Sequence, residues 1–234
     1  MPERHENGRP APALLPVFRP PRPRAAVLVL HGGQEASLRP ARPWQLAALR
    51  TIPFARALTA TAPHQDVLVA RVRYRLRGWN DEHADPAHDT ERALHELAEA
   101  AGPVPVVLLG HSMGGRAALR AAGHPHVRGV IGLAPWWPAG EPVTHLAGRH
   151  LIALHGDHDR VTSLAETTDC VRRAHGTAVR AGLAVVGGGD HAMVRRHDWW
   201  HRTAAAAVAH LLDPDGTADP LPEESYGTDG FPVL

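Results

Sequence analysis

The residues with the clearest chemical potential are Gly110-His111-Ser112-Met113-Gly114, which follow the apolar run Val104 to Leu109 and open the small-residue segment Gly115 to Ala122. A serine between two glycines, where a strand turns sharply into a helix, is a hydroxyl presented for nucleophilic attack. A serine hydroxyl attacks well only if an imidazole takes its proton, and a buried carboxylate must hold that imidazole in the right tautomer. The chain contains 18 histidines, so the question is which His and which acid the fold brings to Ser112.

Three further polar clusters follow apolar runs. His31-Gly32-Gly33 follows Ala25 to Leu30, His155-Gly156-Asp157-His158-Asp159 follows Leu151 to Leu154, and Gly187-Gly188-Gly189-Asp190-His191 follows Leu183 to Val186. Open parallel α/β sheets gather their chemistry just beyond the carboxyl ends of strands. His191 is therefore the candidate base. Among the acids, Asp157 shares an extended segment with Asp159, and Asp190 adjoins His191 but reads better as a turn-forming aspartate, since neighbours in a tight turn rarely place a carboxylate on the adjacent ring edge.

With these motifs, roughly residues 25–212 resemble the α/β-hydrolase superfamily, and in particular its small, lidless, esterase-like and dienelactone-hydrolase-like serine hydrolases. The resemblance implies a triad in the order Ser112, Asp159, His191. Asp159 is preferred because the family's acid commonly stands three residues after the glycine of such a His-Gly motif, with Val-Thr following, as in Val161-Thr162. The resemblance also implies an oxyanion hole built from the backbone N–H of Met113 and that of Gly33 or Gln34. The activity it implies is cleavage of a small ester or thioester through an acyl-enzyme. Thioesterases, acyltransferases and C–C bond hydrolases of the same fold share these motifs, and a noncatalytic member that binds a ligand or partner is the alternative of a different class.

The elements that must position these groups are strands read at Ala25 to Leu30, Val67 to Tyr74, Val104 to Leu109, Val127 to Leu133, His150 to Leu154 and Gly182 to Val186. Continuous apolar runs of this kind suit strands covered on both faces of a parallel sheet. Helical signals alternate with them. Asp85-Pro86 offers a start and Gly102-Pro103 a stop, Ser163-x-x-Glu166 is a capping box closed by Gly176, and a last helix runs from near Asp198 to before Pro214. Pro53 is expected to break the helix between Trp44 and Ala62. The expected fold is a three-layer α/β/α sandwich with a mostly parallel sheet of about six strands and no cap domain, because the connection from Leu133 to His150 is short. Residues 1–24 and 213–234, rich in Pro, Gly and charge, read as tails flanking a single domain of residues 25–212.

Composition narrows the function. All 25 basic residues are Arg, which removes the phosphate-binding lysine of a P-loop and the Schiff-base lysine of pyridoxal enzymes and class I aldolases. A net charge of +1 gives no sustained basic stripe, so nucleic acid is not an expected partner. The single Cys170 suits a reducing compartment, and neither a signal peptide nor an apolar span is evident, so a cytoplasmic protein off the membrane is expected. No His-Glu-x-x-His or paired-Cys spacing occurs; neither metal nor other cofactor is expected. His31 and His155 read as loop braces. Trp79, Trp136 and Trp137 lie just past strand ends and are candidate walls of an apolar substrate pocket, although at least one Trp of each adjacent pair, Trp199-Trp200 included, is expected in the core. Arg77 could meet a substrate carboxylate but reads better as a solvated arginine.

Overall fold

In a computed structural model of the chain, residues 11–61, 66–228 and 230–234 are described. The central sheet contains β1 (Leu14–Phe18), β2 (Ala25–Leu30), β3 (Val67–Val72), β4 (Val106–His111), β5 (Val127–Leu133), β6 (His150–Gly156) and β7 (Arg180–Val186), in the order β1-β3-β2-β4-β5-β6-β7. Every pairing is parallel except that of β1 with β3. Six of the seven strands are those the apolar runs predict. β2, β4, β6 and β7 are buried almost throughout, which is why they carry no polar alternation.

Helices cover both faces, completing the expected three-layer sandwich. α3 (Asp85–Ala101), α4 (Met113–Ala121) and α5 (Leu164–Ala174) pack Leu94, Leu97, Ala117, Leu119 and Val171 against one face of the sheet. On the other face α2 (Ile52–Thr61) and α6 (His197–Leu212) bring Phe54, Leu58, Trp200 and Val208 into a second core. The helix around Pro53 is broken as expected, into α1 (Leu46–Leu49) and α2, with the proline in the first turn of α2 where its missing N–H costs nothing. Ser163 caps α5 by accepting the Glu166 N–H at 3.2 Å. Asp85, read as an N-cap, is instead the first residue of α3, and its carboxylate accepts from the Asn80 side-chain amide at 2.9 Å.

Two segments depart from the expected tails. Residues 14–18 form β1, because β3 offers a free edge and the Glu96 carboxylate accepts the N–H groups of Ala13 and Leu14 at 2.9 and 2.7 Å. At the other end, Glu223–Tyr226 form a 3-10 turn, and Val233 makes a parallel bridge to Val185 on β7. Tertiary hydrogen bonds order both segments despite their proline content. Among the described residues no helix is long and apolar enough to cross a membrane.

Candidate active site

The chain leaves β2 for β3 on one side and then crosses to β4 on the other, so a crevice opens between the carboxyl ends of β2 and β4. Ser112 sits at that point, between β4 and α4, with φ 55° and ψ −121°. A non-glycine residue at positive φ is strained and persists only where its surroundings fix it. Here they do. The Ser112 N–H donates to Leu133 O at 3.1 Å, and Ser112 O accepts from the N–H groups of Gly115 and Trp136 at 2.9 and 3.0 Å. Gly114 lets α4 press onto the end of β2, where a Cβ would overlap the carbonyl oxygens of Leu30 and His31.

Asp159 and His191 come together from the loops after β6 and β7. The Nδ1–H of His191 donates to Asp159 Oδ2 at 2.8 Å, which leaves Nε2 free to accept a proton. The Asp159 carboxylate is fully buried and well supplied with donors. Its Oδ1 accepts the N–H groups of Val161 and Thr162 at 2.7 and 3.0 Å, and its Oδ2 also accepts the Thr162 hydroxyl at 2.9 Å. Burial works to raise the pKa of this carboxyl, but the donors around it outweigh burial and hold it well below the usual carboxylate range. The sequence leaves Asp157 and Asp190 as rivals, and both face elsewhere. Asp157 Oδ1 accepts the Gly188 N–H at 2.7 Å, and Asp190 Oδ1 accepts the Val194 N–H at 3.0 Å, each tying a turn.

Histidines brace this arrangement. Buried His155 accepts or donates at Nδ1 with Thr167 Oγ1 at 2.9 Å, while its Nε2 lies 3.4 Å from Asp159 Oδ2, too poorly aligned for a good hydrogen bond. His111 Nε2–H donates to His191 O at 3.0 Å, and the two rings lie 4.8 Å apart. The residue before the serine thus holds the backbone of the candidate base. Among the described residues no hydrogen bond joins Ser112 Oγ to His191 Nε2. Burial lowers the His111 pKa to about 3, and His31, whose Nδ1–H donates to Gly32 O at 2.7 Å, is lowered to about 4 for the same reason. Both are neutral braces.

The backbone around Ser112 separates the candidate oxyanion donors. Met113 opens α4, so its N–H has no intrahelical partner. Gly33 lies against Met113, where a Cβ would overlap the thioether and the Arg77 carbonyl oxygen. The Gln34 N–H, the alternative to Gly33, is spent on Arg77 O at 2.8 Å. Of that pair only the Gly33 N–H has no partner among the described residues.

The tryptophans divide as well. Trp137 is 1% exposed, its ring lies against Gly132, and its Nε1–H donates to Gly115 O at 3.0 Å. It is a core residue, which leaves Trp136 as the candidate wall of the two. Trp136 is half-buried and meets Trp79 edge to face at 6.2 Å. Trp79 is itself buried, so it backs Trp136 rather than presenting a broad face. Trp200 is fully buried and Trp199 half-buried. Arg77 donates from Nε to Ser37 Oγ at 3.1 Å. Residues 134–149, between β5 and β6, hold only one 3-10 turn, so no cap domain covers the site. Among the described residues no group of three or more His, Cys, Asp or Glu side chains is arranged to hold a metal.

The alpha/beta hydrolase domain family model matches residues 51–212. No curated protein matches the chain in sequence. Among solved structures, the chain is similar to a protein of unknown function from Agrobacterium tumefaciens described as a candidate alpha/beta hydrolase, at 13% identity and TM-score 0.64, covering 88% of this chain and 93% of that one. It is also similar to the Pyrococcus furiosus esterase Pf2001 (13% identity, TM-score 0.59, 82% and 81% covered). A third likeness is to XC6422 from Xanthomonas campestris, described as a serine hydrolase without a lid (18% identity, TM-score 0.58, 86% and 88% covered). At these identities the structural likenesses speak for the shared fold.

Proposed function

The chain belongs to the alpha/beta hydrolase family, and from that premise we propose that it is a serine hydrolase acting on a small carboxylic ester or thioester. The observation that carries this reading is the 2.8 Å bond between a fully buried Asp159 and His191, in the crevice where Ser112 stands at positive φ. A protein that only bound a ligand would have no use for a strained serine and an imidazole held in one tautomer.

Ser112 Oγ attacks the carbonyl carbon while its proton passes to His191 Nε2, and Asp159 stabilises the resulting imidazolium. The carbonyl oxygen, now negative, accepts the N–H groups of Met113 and Gly33, donors worth roughly 3 to 4 kcal/mol each in such sites. His191 returns the proton to the departing alcohol or thiol. Water, deprotonated by the same nitrogen, then attacks the acyl-serine and releases the acid. Substrate is expected to complete the Ser112–His191 hydrogen bond, since such bonds tighten in the loaded state. An uncapped site walled by Trp136 favours short or medium acyl groups.

The test is labelling with a fluorophosphonate followed by turnover of a panel of p-nitrophenyl esters and acyl thioesters. Ser112 is the expected label site, and Ser112→Ala is expected to fold normally and to lose roughly 10⁴-fold in kcat. If the protein neither takes the label nor turns over any member of the panel, the serine-hydrolase reading fails and a binding role replaces it.

A further inference from the structure

Arg116 is a second chemical group on the nucleophile's own helix, one turn beyond Ser112. Its backbone N–H donates to Ser112 O at 3.3 Å. Its guanidinium lies against two indoles, 4.2 Å from the Trp79 ring centre and 4.6 Å from that of Trp136. Those two rings come from the loops after β3 and β5, at the carboxyl end of the sheet where the crevice opens. The two rings meet edge to face at 82° and hold the guanidinium in the corner between them without using any of its N–H groups.

The charges around it are uneven. Arg116 Nε donates to Glu141 Oε2 at 2.7 Å, and the other oxygen of that buried carboxylate accepts from Arg120 Nε. One buried negative charge therefore serves two guanidiniums. An arginine whose whole task was to neutralise Glu141 would turn its paired nitrogens onto the carboxylate in the bidentate arrangement that such pairs prefer. Instead Nη1 and Nη2 of Arg116 have no acceptor among the described residues, and neither is sealed from solvent. The remaining carboxylate that acts on Arg116 is Glu35, exposed on the loop just after Gly33.

We propose that Arg116 is a specificity-determining residue that binds a free carboxylate on the acyl part of the substrate, so that the preferred substrates are half esters or half thioesters of short dicarboxylic acids. This rests on the serine-hydrolase reading. Arg116 stands one helical turn from Ser112, with its N–H on Ser112 O, and its side chain reaches the rings at the mouth of the crevice, so the carboxylate it would meet is one joined to the reacting carbonyl by a short chain. Because the acyl group is the half that stays bonded to Ser112, a carboxylate on it is held through both acylation and deacylation.

The experiment compares mono-p-nitrophenyl glutarate with p-nitrophenyl valerate, which has the same chain length and no charge. The wild-type kcat/KM ratio of the first to the second is expected to exceed ten. Arg116→Gln is expected to lower that ratio at least tenfold, Arg116→Lys less, and Glu35→Gln to raise it by removing a competing carboxylate. Equal losses on both substrates, with the ratio unchanged, would mean that Arg116 only supports α4, and would overturn the proposal while leaving ester hydrolysis intact. A readout independent of turnover is the quenching of tryptophan fluorescence by monomethyl glutarate in the Ser112→Ala protein. Saturable quenching lost in the Ser112→Ala, Arg116→Gln double variant supports the site. Absence of saturable binding overturns it, whatever the outcome of the turnover assays.

Discussion

Asp157 and Asp159 stand two residues apart on one loop and face different partners: the first accepts a backbone N–H from Gly188, the second the imidazole of His191. Asp159→Asn should therefore cost roughly 10⁴-fold in kcat, because an amide cannot hold the productive tautomer of His191. Asp157→Asn should stay within about threefold of wild type, since surface turn contacts seldom matter more. Steady-state kinetics on the two variants decide it, and a reversed order would transfer the acid's role to Asp157.

Trp136 and Trp137 should separate by assay. Trp137→Ala removes a fully buried ring and its hydrogen bond to Gly115, a loss of roughly 3–5 kcal/mol that urea unfolding would register. Trp136→Ala should cost much less stability and should instead alter the acyl-chain preference of kcat/KM by about tenfold, the scale of one lost apolar wall. An unchanged chain-length profile for Trp136→Ala would place the wall elsewhere.

Acid should unfold the protein through its buried imidazoles. His31 and His111 titrate at about 4 and about 3 when folded, against roughly 6.5 in the unfolded chain. Their folded values are the lower ones, so between these limits the unfolded chain binds more protons. Stability is then fully present above about pH 6.5 and is lost as pH falls through that window, by at most roughly 2.7 kcal/mol per pH unit for the two together. Asp159, also depressed when folded, adds its share below about pH 4. Urea midpoints measured across the window should fall steeply for wild type and about half as steeply for His31→Gln. Identical slopes would remove His31 from the account.

Despite 18 histidines, prolonged chelation should leave ester turnover unchanged, because proton transfer through His191 and charge stabilisation by backbone N–H groups require no ion. Dialysis against EDTA with divalent add-back checks this. Activity lost on chelation and restored by an ion would contradict it.

The parallel strands were legible because each is a continuous apolar run, and Ser112 and His191 were candidates because each follows such a run, whereas Asp159 was preferred over Asp157 only through the family resemblance. β1 was not. Pro16 and the prolines around Leu14–Phe18 hide its pattern, and what orders it is the distant edge of β3 and the Glu96 carboxylate. Nor could adjacent tryptophans be told apart, since which ring turns inward depends on the space left at Gly132. The setting of Arg116 was invisible for the same reason. Trp79 comes from the loop after β3, and Trp136 and Glu141 from the loop after β5, two segments that only the folded sheet brings together around Arg116.

The antiparallel β1 also determines how the molecule behaves in company. Without it, β3 would present an unpaired row of backbone groups backed by buried side chains from Val67 to Val72, a template on which another chain could add a strand. β1 covers that row with a five-residue strand in which Pro16 and Val17 are exposed. Its central residue, Pro16, has no N–H to offer, and its pairing is interrupted by an irregularity between Pro16 and Phe18. Loss of residues 11–18 should thus open that edge to strand addition and raise self-association at high concentration, with Ser112, Asp159 and His191 left in place.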